Sequence, residues 1–157
     1  MAGSGKKKGV LFICLGNICR SPIAEAIFDH LTKEKNVSEQ WLIDSAATGD
    51  WHIGKRPDKR ALACLKKHGI ETSHKARQLC SDDFSNFDYI FGMDHNNIED
   101  IKDFAPNSHS ANIELLGKYD PKGELIIRDP YFDDGSEGFD TVYEQCLRCC
   151  KAFLEKQ

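Results

Sequence analysis

The sequence predicts an α/β fold: a single domain with a central four-stranded, mainly parallel twisted sheet and helices on both faces. Three observations carry that prediction. Short apolar runs alternate along the chain with segments of helical period. A length of 157 residues suits one domain with a substantial hydrophobic core. No internal repeat and no Pro/Gly-rich linker divides the chain.

The expected strands are Val10–Cys14, Trp41–Ser45, Phe87–Met93 and Asn112–Leu116, each a short run bounded by polar or turn residues. Between the first two, residues 22–35 place Ile23, Ile27 and Leu31 at helical spacing, with Ser21 suited to the N-cap and Pro22 to the first helical position. Residues 57–68 begin with Pro57 and stop before Gly69, so both helix punctuation marks are present. A shorter helix over 96–104 is expected to be capped by Asp94. The final helix has the clearest pattern: Phe139, Val142, Tyr143, Cys146, Leu147, Cys150, Phe153 and Leu154 form one stripe. Residues 1–8 read as a flexible tail ahead of a domain spanning 9–157.

Composition narrows the function classes. With 21 basic and 25 acidic residues the net charge is −4, which offers no general attraction to nucleic acid or membrane surfaces. Lys6-Lys7-Lys8 followed by Val10–Leu15 is too short for a signal peptide, and no apolar stretch reaches transmembrane length. Ala2 stands where myristoylation requires glycine. Seven cysteines without a secretory signal point to a reducing, cytoplasmic location.

The segment Val10-Leu11-Phe12-Ile13-Cys14-Leu15-Gly16-Asn17-Ile18-Cys19-Arg20-Ser21-Pro22 reads as a buried strand, a tight loop and a helix start. Such a loop turns successive backbone N–H groups inward, and the helix N-terminus adds partial positive charge, so it makes an anion nest. A cysteine at its base is favoured as thiolate. Arg20, six positions on, supplies a planar fork matched to two phosphate oxygens. Alone, Cys14 reads equally well as a small packed residue; the run C-x5-R-S-P after an apolar strand favours cysteine-based phosphoryl transfer. The strand order of open α/β sheets also puts ligands beyond the carboxyl ends of strands, where Cys14, Ser45 and Asp94 fall.

That run resembles the phosphate-binding loop of the protein tyrosine phosphatases, here Cys14, Leu15, Gly16, Asn17, Ile18, Cys19 and Arg20. Its position near the N-terminus and the Gly16-Asn17-Ile18-Cys19 interior resemble the low-molecular-weight family. Asp44-Ser45-Ala46-Ala47-Thr48, Gly54-x-x-Pro57-Asp58, His68-Gly69-Ile70, His74-Lys75-Ala76-Arg77, Met93-Asp94 and Glu114-Leu115-Leu116-Gly117 extend the likeness over nearly the whole chain, and residues 145–155 resemble the eukaryotic branch. The resemblance implies a Rossmann-like domain and a phosphotyrosine-protein phosphatase that also acts on small aryl phosphates. It implies a cysteinyl-phosphate intermediate, no metal or organic cofactor, and a monomer or weakly self-associating protein.

The general acid expected for such chemistry is Asp129, in Arg128-Asp129-Pro130-Tyr131-Phe132. Pro130 restricts it to extended geometry, the two aromatics after it are placed to shield it, and Asp-Pro-Tyr matches the family's acid loop. The resemblance further implies that Asn17 holds the loop's backbone through hydrogen bonds to Ser21, Ser45 and His74. It implies that Cys19 forms a reversible disulfide with Cys14, and that Trp51, His52 and Tyr131 wall the cleft. Ser21 has two candidate roles, helix cap or hydrogen-bond donor to the thiolate, and the capping role is the safer inference from sequence. Many eukaryotic relatives carry two adjacent tyrosines where this chain has Tyr131-Phe132, so a two-site phosphorylation switch is not expected.

Other motifs are weaker. Gly49 to Lys55 nearly spells a nucleotide-binding loop, but Arg56 stands where Mg²⁺ binding needs Ser or Thr. Cys146-x-x-Cys149 lies inside a helix, which favours packing over redox chemistry. Asp129, Asp133, Asp134 and Glu137 miss the calcium-loop spacing. Rival activities on the same fold are phosphoarginine hydrolysis, against which Ile18 stands where bacterial arginine-specific relatives have threonine, and arsenate reduction, for which Cys80 has no obvious partner. A phosphoprotein-binding module without turnover is the rival from outside enzymology.

Overall fold

The computed structural model describes residues 7–157. Its centre is β1 (Lys8–Cys14), buried at every position after Lys8. A strand covered on both faces is apolar throughout rather than alternating, which is the pattern of Val10–Ile13. β1 pairs in parallel with β2 (Trp41–Ala47) on one side and β3 (Tyr89–Gly92) on the other, and β4 (Asn112–Leu115) lies beyond β3. The order β2-β1-β3-β4 is wholly parallel. All four expected strands form, with shifts of no more than two residues at their ends. Lys8 already pairs with Trp41, so the tail read over 1–8 stops short of Lys8; residues 1–6 lie outside the described residues.

Alternate side chains of β1 feed two cores, as the period of a strand dictates. Val10, Phe12 and Cys14 face α1 (Arg20–Glu34), α2 (Lys59–Lys67) and α5 (Glu137–Glu155). Leu11 and Ile13 face the side of α3 (Asp83–Asn86) and α4 (His95–Phe104). On the first side Phe153 of α5 meets Phe91 edge-on, with ring centroids 5.0 Å apart. The α5 stripe is buried largely as the sequence indicates, joined by Gln145 and Cys149, while Leu147 is only partly covered. Cys146 and Cys149 are fully buried thiols, and burial pushes Cys149 up to about 12, so this pair packs.

Two helix starts differ from expectation. α1 begins at Arg20, so Cys19 occupies the N-cap and Ser21 makes no capping bond; its hydroxyl is drawn to Cys14 instead. α2 begins at Lys59 with Asp58 as cap, its Oδ1 accepting from the Arg60 N–H at 2.8 Å. Pro57 thus precedes the cap, because a carboxylate can accept from a free helix N–H and proline cannot. Asp94 caps α4 as expected, accepting from the Asn97 N–H. Gly69 ends α2 at φ +74°, a conformation that favours glycine. No described helix is long and apolar enough to cross a membrane.

The chain leaves β1 toward β2 on one side and later returns to β3 on the other. The carboxyl end of β1 is therefore the switch point of the sheet, where the loops after neighbouring strands diverge and leave a crevice. Cys14 is the last residue of β1.

Candidate active site

The loop after β1 wraps around the Cys14 sulfur. Sγ accepts from the backbone N–H of Asn17 at 3.3 Å and of Ser21 at 3.4 Å, and lies 3.0 Å from the Ser21 hydroxyl. Three donors directed at one sulfur, at the start of α1, are an arrangement that stabilises negative charge on it.

The loop's shape depends on Asn17, which is fully buried and has φ +56°. Its Nδ2 donates to Ser21 Oγ (2.8 Å) and Ser45 Oγ (2.9 Å), while its Oδ1 accepts from the Arg77 N–H (3.1 Å) and lies 2.7 Å from His74 Nε2. A short side chain that hydrogen-bonds locally suits this left-handed region. Ser21, Ser45 and His74 are thus all brought to Asn17, and through it to the sulfur.

Ser45 and His74 also belong to a polar cluster whose acidic member Glu25 the sequence did not single out. Ser45 Oγ donates to Glu25 Oε1, and His74 Nδ1 is 3.2 Å from the same oxygen. Burial raises Glu25 to about 7 against the Ser45 hydrogen bond, and burial lowers His74 against the pull of Asp44. Both groups therefore favour their neutral forms, and His74 Nε2–H is left to donate to Asn17. Glu25, Asp44 and His74 place possible metal-ligand atoms within 4.8 Å of one another. Those atoms are already engaged, with Asp44 also held by Arg77 Nε at 2.9 Å, so the cluster acts as hydrogen-bonded support.

Arg20 is 2% exposed. Its Nη1 donates to Asp94 Oδ2 at 2.7 Å and to the Ile127 carbonyl at 2.9 Å, and Nη2 lies 3.7 Å from Asp129 Oδ2. Nε is buried without a partner. A buried guanidinium N–H without an acceptor is costly unless an anion fills the place, and the neighbouring nest supplies that place. Burial alone would lower the Arg20 pKa, but Cys14, Asp94 and Asp129 outweigh it, and the group is held firmly charged.

A cleft of about 430 Å³ opens above the sulfur, lined by Cys14, Leu15, Gly16, Ile18 and Cys19 below and by Trp51, His52, Asp129, Tyr131 and Phe132 around the mouth. The Trp51–His52 wall is tied to the loop by Thr48 N–H to Cys14 O and Gly49 N–H to Leu15 O. Gly49 lets the Trp51 ring lie against the backbone there, a place a Cβ would occupy. Across the mouth, His52 and Tyr131 have ring centroids 5.9 Å apart. The loop that carries Asp129 is pinned from α2: Arg60 donates to the carbonyls of Tyr131 and Asp133 at 2.8 Å while gripping Asp58. Tyr131 N–H donates to Asp129 Oδ1. Of the two aromatics expected to shield Asp129, Phe132 is 90% exposed and Tyr131 is half-buried, and the Asp129 side chain itself stays 34% exposed.

Cys19 is buried beside the nest, and burial together with the Cys14 charge pushes its thiol far up. Cys80 is the exposed cysteine; the other six are buried.

The model of the low molecular weight phosphotyrosine protein phosphatase family matches residues 9–157. The chain belongs to this family. A relative of that name from Sus scrofa is 56% identical over 151 residues, covering 95% of both chains, and the Homo sapiens one gives the same figures. Among solved structures, one described as Primo-1 superposes with a TM-score of 0.91 at 46% identity, over 96% of this chain and 98% of that one. Another, described as a drosophila arginine phosphatase, gives 0.89 at 42% identity, over 94% and 96%. Family members thus share this α/β domain with its four-stranded parallel sheet.

Sequence reasoning missed two groups that the site uses, Glu25 and Arg60, and one pairing. Asp94 was visible as a helix cap but not as the partner of Arg20, and Glu25 and Arg60 carried no local signal. Met93-Asp94 and His74-Lys75-Ala76-Arg77 stood among the family matches, and that was the available pointer to Asp94 and Arg77.

Proposed function

We propose that this protein is a cysteine-dependent phosphotyrosine-protein phosphatase that works in two covalent steps. One observation carries the reading: the sulfur of Cys14 and the carboxyl of Asp129 line a single cleft, with the Arg20 guanidinium beside both.

The loop N–H groups and Arg20 bind the phosphate oxygens, with Arg20 Nε free to take one. Cys14 attacks phosphorus as thiolate, forming the S–P bond as the P–O bond to the tyrosyl oxygen breaks. Asp129 gives its proton to that departing oxygen, and tyrosine leaves. The Asp129 carboxylate then takes a proton from water as the water oxygen attacks phosphorus. The S–P bond breaks, inorganic phosphate departs, and Cys14 returns to thiolate. The Ser21 hydroxyl and the Asn17 and Ser21 N–H groups stabilise sulfur when it leaves. The transferred group is loose and charge-rich, so positioning and charge stabilisation supply most of the rate. No metal or organic cofactor enters either step.

The apolar floor at Ile18 and the aromatic walls Trp51, His52 and Tyr131 suit a flat aryl group, which extends the activity to small aryl phosphates. Cytoplasmic location, action as a monomer or weakly self-associating protein, and redox control complete the reading. Peroxide converts the Cys14 thiolate to a sulfenic acid, and Cys19 condenses with it to a disulfide with loss of water. A second reading, phosphoarginine hydrolysis, draws on the similarity to the solved structure described as an arginine phosphatase. Ile18 weighs against it, because an apolar residue offers no hydrogen bond to a guanidinium.

The test is to trap the intermediate. Acid quench of the enzyme during turnover of an aryl phosphate, followed by mass spectrometry, should find a phosphoryl group on Cys14. Turnover with no phosphorylated Cys14 at any quench time would refute the covalent route.

A further inference from the structure

A second groove, of about 210 Å³, adjoins the catalytic cleft and shares Leu15 and Trp51 with it. Its other walls are Thr48 and Gly49 from the loop after β2, and Asp100, Asp103 and Phe104 from the end of α4. Asp100 and Asp103 are three apart on that helix and so share a face. Neither has an ion-pair partner among the described residues. Asp103 stands in the last turn of α4, where the helix dipole disfavours negative charge, and Asp100 in mid-helix gains nothing from it. Helix stability therefore does not explain them.

Thr48 supplies the independent observation. It is 7% exposed, lines this groove, and its Oγ1 is buried with no hydrogen-bond partner. An unpartnered buried hydroxyl is costly unless a ligand completes it. Trp51, 64% exposed, offers its indole face, the best aromatic surface for a cation. Leu15 and Phe104 supply apolar walls suited to the methylene stem of a long side chain. Two unpaired carboxylates, an aromatic face, a spare hydroxyl and apolar sides together describe a receptor for a guanidinium or ammonium group on a flexible stem.

We propose that this groove binds an arginine or lysine side chain of a peptide substrate, close in sequence to the phosphotyrosine held in the main cleft. The proposal rests on the phosphatase reading above and deepens it: the enzyme selects phosphotyrosine that has a basic neighbour. The two sites divide the work by charge. The nest and Arg20 take the phosphate dianion, and the end of α4 takes the cation beside it.

The experiment is a series of phosphotyrosine peptides of one length, with arginine, alanine or glutamate placed singly at each position within two residues of the phosphotyrosine. kcat/KM is measured at low and high salt. At one or more positions arginine should exceed glutamate by about 3–10-fold, the range for partly solvated charge pairs with a cation–π contribution, and the ratio should shrink with salt. Asp100→Asn and Asp103→Asn should each reduce the ratio, and Asp103→Lys should reverse it. The ratio is internal to each variant, so a lower yield of folded protein cannot imitate the effect. Equal turnover of arginine and glutamate peptides at every position, or a ratio unchanged in the Asp100→Asn/Asp103→Asn double variant, overturns the groove assignment alone. Absence of turnover across the whole wild-type series overturns the phosphatase reading and the groove with it.

Discussion

Asp94 joins the cap of α4 to the buried guanidinium of Arg20: its Oδ1 accepts from the Asn97 N–H at 2.8 Å while its Oδ2 holds Arg20 Nη1 at 2.7 Å. One carboxylate thus fixes the fork of Arg20 relative to the sheet, and the rigid helix start fixes the carboxylate. Asp94→Asn keeps an oxygen for the cap but turns an amide toward the guanidinium. We expect kcat/KM on an aryl phosphate to fall about 10–10²-fold with little change in melting temperature. Asp94→Ala loses the cap as well, worth about 1 kcal/mol, and leaves a buried charge short of its partner, so it should unfold at lower denaturant. Steady-state kinetics beside urea melts separates the two effects.

Asn17 carries both a positive φ and four side-chain hydrogen-bond contacts. Asn17→Gly relieves the backbone and removes the contacts, whereas Asn17→Ala also adds the strain of φ > 0, about 1 kcal/mol or more. Activity should fall in both variants, and stability should be lower in the alanine variant. Urea midpoints show whether the order is right; an alanine variant as stable as the glycine one contradicts the strain argument.

Arg60 grips the Asp129 loop by two carbonyls, and its guanidinium stacks 4.5 Å above the Phe139 ring. Arg60→Ala should therefore lower kcat by about 5–50-fold through a loosened Asp129, with a smaller effect on substrates whose leaving group needs no proton. A nitrophenyl phosphate compared with a phenyl phosphate reads that difference. A uniform loss on both would place the effect elsewhere than the acid.

Burial raises Glu25 from an ordinary 4.5 to about 7. The folded state therefore holds a proton that the unfolded chain releases between those values. The stabilisation is fully present below pH 4.5 and is lost as pH rises through about 7, on the order of 3 kcal/mol at most. Glu25→Gln has no such proton to lose. Urea melts from pH 4.5 to 7.5 should show wild type losing stability relative to the variant as pH rises; parallel curves contradict the assignment.

Much of this was legible in the sequence, for identifiable reasons. Val10–Ile13 is apolar because β1 is covered on both faces, so its run alone located the central strand. Cys14, Arg20 and their loop are contiguous, and contiguous chemistry survives in a one-dimensional reading. Ser21 shows where that reading stops. Its local surroundings favour a helix cap, but the hydroxyl is claimed by a sulfur seven residues back and by Asn17. Adjacency alone places Phe132 over Asp129, yet its ring leans edge-on against Tyr131 and faces solvent. Glu25, Asp44 and His74 meet only because α1, β2 and the loop after α2 converge, which no spacing in the chain encodes.

Loss of the Asp129 carboxyl should slow hydrolysis by about 10²–10⁴-fold, most for poor leaving groups. Asp129→Asn keeps the shape and removes the acid, so kcat against leaving-group pKa should steepen. An unchanged slope would exclude Asp129 as the proton donor.

The central claim is tested most directly by phosphate release from matched peptides bearing phosphotyrosine, phosphoserine or phosphoarginine. Wild type and Cys14→Ser are compared, fully reduced, without metal and at mildly acidic pH. The account predicts selective turnover of the phosphotyrosine peptide by wild type and its loss, by at least about 10³-fold, in the variant. Undiminished turnover in Cys14→Ser, or preference for phosphoserine or phosphoarginine, contradicts it.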